Sequence, residues 1–278
     1  MPTKHTQVAI IGAGPAGLLL SHLLHLRGIA SVVLQNQSRK HLEQRIRAGV
    51  LEQGTVDLLV ESGAGARLKR EGLVHHGIAL HFGGRSHRID FSELTGGRAI
   101  TVYAQQEVVK DLIQARLDAG GEILFEVGNV AVRDFDTPAP RVRYRNSGKD
   151  EELACDFIAG CDGFHGICRT AMPAGTLTTH EQVHPFAWLG ILAESPPPSD
   201  ELIYAHHERG FALFSMRSPS LSRLYLQCGP DEDVANWPDD RIWPELHARL
   251  GHGGPGIKEG PVLQKGITGM RSFVVEPM

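Results

Sequence analysis

Gly12, Gly14 and Gly17, in the run Gly-Ala-Gly-Pro-Ala-Gly, carry the spacing of a turn built to hold a diphosphate. The first glycine allows a tight turn, the second lets backbone come close to the phosphates, and the third lets the next helix lie close on its strand. That helix aims its positive end and its unpaired N–H groups at the anion. The ribose of such a dinucleotide is ordinarily held by an acid about 20 residues further on, and here the position is Gln35. An amide oxygen still accepts from a hydroxyl, but without the charge that makes such a bond roughly twice as strong. The amide is therefore expected to cost about 1 kcal/mol of nucleotide affinity. A second cluster, Gly160-Cys161-Asp162-Gly163, sets a carboxylate between glycines, and Ser38-Arg39-Lys40-His41 is a basic loop able to meet a phosphate.

These groups need a scaffold, and the surrounding pattern supplies one. Residues 7–11 form an apolar strand, 18–26 an apolar helix and 30–34 a second strand, which together make a βαβ unit. Beyond residues 45–51 a helix runs through Val60. A strand pair at 77–82 and 86–91 turns at Gly83-Gly84, and a helix over 106–119 is closed by Gly120-Gly121. Strands are expected near 122–125, 130–134, 142–145 and 157–159. From His184 the texture changes to alternating strands with proline breaks, at 187–193, 202–205, 211–215 and 223–227. The expected fold class is α/β: a Rossmann-like βαβ domain over 1–177, with a strand-pair insertion around 77–91, then a mainly antiparallel β-sheet domain over 178–278.

Composition narrows the function. A chain of 278 residues with 41% hydrophobic content can bury one large core or two ordinary ones. The 28 basic against 32 acidic residues leave a net charge of -4, which does not point to nucleic acid. No apolar run reaches the length of a membrane span and no cleavage-site pattern marks a signal peptide, so a cytoplasmic enzyme is expected. Cys155, Cys161, Cys168 and Cys228 match no metal or redox spacing and are read as reduced and structural. The 15 histidines are scattered, and no metal site is expected.

The two glycine signatures together are the pattern of flavoprotein aromatic hydroxylases. Longer runs are more specific: Arg45 to Gly54 (RIRAGVLEQG), Phe157 to Ile167 (FIAGCDGFHGI), Leu202 to Ala205, Arg209 to Leu213 and Arg271 to Met278. They closely resemble the 4-hydroxybenzoate 3-monooxygenase family over essentially the whole chain. The resemblance implies that the first domain binds FAD, that NADPH visits as co-substrate, and that one atom of O2 is placed on the ring carbon beside the phenol of 4-hydroxybenzoate. A complete member continues into a third signature, a Gly-Asp with small residues and a His, followed by helices that finish the flavin site and the dimer interface. This chain is accordingly expected to be a C-terminally truncated member, its second, substrate-binding domain incomplete, with a homodimer expected only of the longer form.

Residue by residue, the resemblance maps Tyr204 to the tyrosine that hydrogen-bonds the substrate phenol and starts a proton relay, and His75 to that relay's surface histidine. Ser215, Arg217 and Tyr225 match a carboxylate clamp, in which a planar guanidinium grips a benzoate with two parallel bonds. Ser215 and Arg217 are two apart, so on a strand they face the same side. Arg223 is a weaker candidate for tuning flavin position. Arg45, in the matching run, is a further candidate for cofactor binding, Arg47 and Gln105 match residues near the flavin pyrophosphate, and Asp162 matches the acid shared by flavin and nicotinamide binding. His165 and Arg169 resemble residues that meet the visiting nicotinamide. Since the sequence has a single GxGxxG, the nicotinamide must dock in a surface groove. Arg39 and Lys40 favour NADPH, with NADH left open. Alternatives are a hydroxylase of another para-substituted benzoate such as 4-aminobenzoate, and a non-catalytic flavin-binding fragment.

Overall fold

The computed structural model describes residues 4–251 and 255–277; Met278, the last residue of the expected second domain, lies outside the described residues. Along the chain, β1 (Lys4–Ile11), α1 (Pro15–His25), β2 (Ser31–Leu34), α2 (Arg39–Gln44), β3 (Val50–Glu52), α3 (Gln53–Glu61) and α4 (Ala66–Glu71) come first. Next are β4 (Leu73–His75), β5 (Gly77–Phe82), β6 (Arg85–Asp90), α5 (Phe91–Thr95), β7 (Ile100–Val102) and α6 (Gln105–Asp118). Then come β8 (Glu122–Leu124), β9 (Gly128–Arg133), β10 (Arg141–Asn146), β11 (Lys149–Gly160), β12 (Thr178–Ala193), β13 (Leu202–His207), β14 (Gly210–Ser218), β15 (Leu221–Cys228), α7 (Asp239–Leu250) and β16 (Val262–Glu276). These elements fall into two compact units.

The first unit comprises Met1–Gly49, Gly54–Glu71 and Tyr103–Thr176. Its sheet has the order β8-β2-β1-β11-β10-β9, parallel from β8 to β11 and antiparallel beyond. Ala9 and Ile11 of β1, Val32 and Leu34 of β2 and Leu153 of β11 fill its core, and the apolar runs of β1 and β2 are the mark of parallel strands buried on both faces. Helix α6 packs on α1 through a polar chain: Arg116 Nε donates to Ser21 Oγ at 3.0 Å, which lies 2.9 Å from Ser31 Oγ. The glycine turn after β1 and the Gly160 cluster after β11 leave adjacent parallel strands at their carboxyl ends, where open α/β sheets bind ligands.

The second unit comprises Val50–Gln53, Gly72–Val102 and Leu177–Met278. Its main sheet has the order β16-β12-β15-β14-β13-β5-β6, and a small sheet runs β3-β7-β4. Phe214, Leu224 and Leu226 face Ile242, Trp243 and Leu246 of α7 in its core. Since side chains alternate along a strand, Leu213, Ser215, Arg223 and Tyr225 stand on the sheet face away from α7.

The structure corrects the expected arrangement in several places. The strand pair at 77–91 is not an insertion in the nucleotide-binding unit: β5 pairs parallel with β13, Tyr204 opposite Leu80, so the hairpin extends the second unit's sheet. An unpaired β13 edge would leave backbone groups unsatisfied, and chain proximity alone does not reveal which edge a hairpin fills. Helix α7 went unrecognised because Pro244 interrupts a helical pattern that Ile242, Trp243, Leu246 and Leu250 otherwise complete. Strand β16 is obscured in the sequence by Gly266 and Gly269, residues that ordinarily break a strand pattern.

Candidate active site

In the first unit the three glycines do three different things. Gly12 has φ +105°, and a Cβ there would stand 2.4 Å from Cys161 O; a Cβ on Gly17 would stand 2.0 Å from Gly12 O. Both are therefore forced by close backbone approach. Gly14 faces open space, with nothing within 4 Å of an added Cβ. It is the N-cap of α1 and gives no side-chain cap, so the first N–H groups of that helix look into the opening. An open cradle at a helix N-terminus fits the diphosphate of FAD.

The second signature touches the first. Cys161 N donates to Ile11 O at 2.8 Å, and a Cβ on Gly12 would also lie 2.9 Å from Asp162 Cα. Asp162 anchors its own loop: Oδ2 accepts from Cys168 N at 2.9 Å, and a Cβ on Gly166 would overlap the carboxylate. Burial and the Asp162 carboxylate push the Cys168 thiol up to about 12, so it stays protonated and unreactive. Arg169 Nη2 donates to Phe164 O at 2.7 Å and its guanidinium lies 5.1 Å from that ring, while His165 packs edge-on against Phe164. Arg47 and Gln105 are brought close by backbone pairing: Tyr103 N donates to Gly49 O at 2.7 Å and Gln105 N to Ala48 O at 3.3 Å. Arg67 secures this end of α6, with Nε 2.8 Å from Asp111 Oδ1 and Nη2 3.1 Å from Glu107 O. Arg45 and Arg47 are exposed. Arg39 and Lys40 are both exposed, and Arg39 is engaged by Glu43 at 2.6 Å.

Gln35 is buried, 9% exposed, and its Oε1 accepts from Ala13 N at 3.2 Å. The side chain is thus tied to the glycine turn, and its remaining group is an NH2, a donor only. In Gln35→Glu one carboxylate oxygen would keep the Ala13 bond while the other accepts from ribose hydroxyls, beside the positive end of α1. FAD affinity is expected to rise by a factor of about 5 to 30. Titration of FAD into apoprotein of both forms checks it, and equal or weaker binding by the glutamate form would mean that the ribose end is built around the amide.

In the second unit, register places the candidate substrate residues in rows. Tyr204 of β13, Leu213 of β14, Tyr225 of β15 and Gly190 of β12 are consecutive partners across the sheet. Ser215 and Arg223, paired with each other, form the next row on the same face. Ser215 is buried and Tyr204, Arg217 and Tyr225 are half-buried. The β14/β15 register shifts between Met216 and Ser218, yet the Arg217 guanidinium reaches the face of Ser215 and Tyr225, as the two-residue spacing leads one to expect. In this bulge Arg217 Nη1 donates to Met216 O at 3.1 Å and the guanidinium hydrogen-bonds Tyr225. Arg223 Nε in turn donates to Tyr225 Oη at 3.3 Å. Two guanidinium groups therefore converge on one phenol. Burial lowers the pKa of Arg217, and that of the Tyr204 phenol is raised by the same cause.

His75 differs from its expected place at the surface. It is 1% exposed, and neither ring nitrogen has a hydrogen-bond partner. Burial lowers its pKa, opposed by Glu201 and Asp200. The reason lies in the alternation along β4, which exposes Val74 and puts His75 on the opposite, buried face, while the adjacent, exposed His76 bonds Ser92 Oγ at 2.9 Å. Gly190, which the sequence reading did not single out, lies under the Arg223 guanidinium; a glycine inside an otherwise apolar strand was the available signal. Among the described residues no group of three His, Cys, Asp or Glu side chains is placed to hold a metal ion, and no helix is long and apolar enough to cross a membrane.

Comparison with known proteins agrees with this geometry. Residues 5–278 match the FAD binding domain family. The whole chain is 49% identical to p-hydroxybenzoate hydroxylase of Acinetobacter baylyi and spans 69% of that protein. A stretch of 113 residues, 40% of this chain and 27% of the other, is 35% identical to 6-methylpretetramide 4-monooxygenase of Streptomyces rimosus. In fold, 99% of the chain superposes on 70% of p-nitrophenol 4-monooxygenase from Pseudomonas putida with TM-score 0.82 at 16% identity. The flavin-dependent monooxygenase PieE, solved with FAD and substrate, gives TM-score 0.77 at 16% identity, over 99% of this chain and 51% of that one. The cradle at Gly14, the paired glycine signatures and this degree of identity lead to one assignment: the chain belongs to the FAD-dependent aromatic hydroxylase family that includes p-hydroxybenzoate hydroxylase.

Proposed function

We propose that this chain carries the cofactor and substrate residues of a 4-hydroxybenzoate 3-hydroxylase. The reaction consumes 4-hydroxybenzoate, NADPH, a proton and O2, and yields 3,4-dihydroxybenzoate, NADP+ and water. The observation that carries the reading is a sheet face bearing a phenol donor, Tyr204, together with a half-buried guanidinium, Arg217, bonded to Tyr225. Those are the groups a para-hydroxylated benzoate needs at its two ends.

FAD would be held by the Gly12–Gly17 turn, Gln35, Arg47, Gln105 and Asp162, and would supply electron transfer from the nicotinamide and activation of O2. The chain's own residues prepare the substrate. Arg217 keeps its charge in any protein environment, and a carboxylate replaces part of the hydration that burial has removed from it. Ser215 and Tyr225 supply hydroxyls that fix the tilt of that carboxylate. Tyr204, its pKa raised by burial, remains protonated at neutral pH and donates to the substrate phenolate, the electron-rich form that attacks. His75, buried and neutral, has both a donor and an acceptor nitrogen with which to pass a proton inside the protein. Arg39, Lys40, His165 and Arg169 would meet the nicotinamide dinucleotide, NADPH in preference to NADH, and a cytoplasmic location follows from that supply.

The purified chain loaded with FAD is expected to oxidise NADPH faster when 4-hydroxybenzoate is present and to release 3,4-dihydroxybenzoate in step. Faster turnover of 4-aminobenzoate would transfer the assignment to that substrate, since Tyr204 also has an oxygen that accepts from an amine. A flavin-free sample, or one in which benzoates do not stimulate NADPH oxidation, would overturn it.

A further inference from the structure

We propose that Gly190 is a positioning residue of the carboxylate clamp: its missing side chain seats the Arg223 guanidinium, which holds the Tyr225 hydroxyl in the orientation that receives the substrate carboxylate. This rests on the reading of Arg217, Ser215 and Tyr225 as that clamp. Gly190 is buried near the C-terminal end of β12, opposite Tyr225 on one side and Gly266 on the other. Its φ lies outside the left-handed range, so the backbone there would accept any residue. The space is what requires a glycine. A Cβ built at Gly190 would stand 2.6 Å from Arg223 Nη2, 3.3 Å from its Cζ and 3.5 Å from Tyr225 Cε1.

A glycine inside a strand weakens it and often marks a close approach. Here the approaching group is a cation bonded to the clamp. Arg223 Nε donates to Tyr225 Oη at 3.3 Å, and its Cζ lies 5.1 Å from the Tyr225 ring centroid. A phenol oxygen that accepts from Arg223 turns its own O–H away from that donor and outward. Opposite Gly190, the exposed Gly266 has nothing within 4 Å of an added Cβ, so there is open space beside the seat. A methyl group at Gly190 would therefore displace the flexible end of Arg223 and leave the fold in place.

In Gly190→Ala, loaded with FAD, the Kd of 4-hydroxybenzoate is expected to rise about tenfold, the worth of one well-placed hydrogen bond to a charged group. The Kd of 4-hydroxybenzamide, which keeps the ring and phenol but lacks the charge, is expected to stay within about twofold. Adding Gly190→Ala to Tyr225→Phe should weaken 4-hydroxybenzoate binding no further, because both changes remove the same hydroxyl. Arg223→Met, which empties the seat without touching β12, should reproduce the same selective loss and keeps the test decisive if the alanine variant folds poorly. Equal losses for both ligands, additive losses in the double variant, or no selective loss in Arg223→Met would overturn the seat while leaving the clamp standing. Wild-type protein that binds neither ligand would overturn the proposed substrate and this inference with it.

Discussion

Arg217→Lys is expected to raise the KM for 4-hydroxybenzoate by about 30- to 100-fold while FAD affinity stays within about twofold. A guanidinium offers a carboxylate two parallel charge-assisted bonds, and an ammonium offers a point charge on a flexible stem. At this site the difference is enlarged by geometry. Arg217 stands in a β-bulge, with Nη1 committed to Met216 O and the guanidinium bonded to Tyr225, so its fork is oriented before substrate arrives. A lysine in the bulge would lose that orientation along with the second bond. Steady-state kinetics with 4-hydroxybenzoate, set beside FAD titration, check it. An unchanged KM would remove Arg217 from the clamp.

Tyr204→Phe has the larger consequence for chemistry. The variant is expected to bind 4-hydroxybenzoate and to oxidise NADPH, but hydroxylated product per NADPH should fall below about one tenth, since a positioned acid–base group contributes about 10²- to 10⁴-fold to its step. The lost hydroxyl is the donor that favours the phenolate, and an un-ionised phenol ring is a poorer nucleophile. Reducing equivalents would then leave as hydrogen peroxide. Tyr204 packs against Phe211, 6.0 Å between ring centroids, and phenylalanine preserves that contact, so a change in folding is not expected. Product and peroxide measured against NADPH consumed decide the matter. Full coupling in the variant would exclude Tyr204 from the mechanism.

The nucleotide site was legible because its constraints are local. A φ of +105° at Gly12 and the approach of Gly17 to Gly12 O are imposed within a few residues of chain, and only glycine satisfies them. The strand, turn and helix around them follow for the same reason, and β1, α1 and β2 lie within a few residues of the expected bounds. Period-two alternation likewise put Tyr225, Arg223 and their neighbours on strands before any pairing was known.

Pairing is where sequence reading stopped. Whether the 77–91 hairpin completes one sheet or another depends on which distant edge lacks a partner, and β13 is more than a hundred residues away. Arg217 stands in a β-bulge because β15 closes on β14 with a shifted register, a property of two strands together. His75 is buried rather than exposed because it stands on the face of β4 opposite the exposed Val74, a face that the fold covers. The chemistry available is already written in the residue types, which fix charge, donors and permitted backbone angles. Which of those groups meet, as Arg223 and Tyr225 do over Gly190, was decided only by tertiary structure, because long-range strand register is set by packing and hydrogen-bond satisfaction summed over the whole sheet.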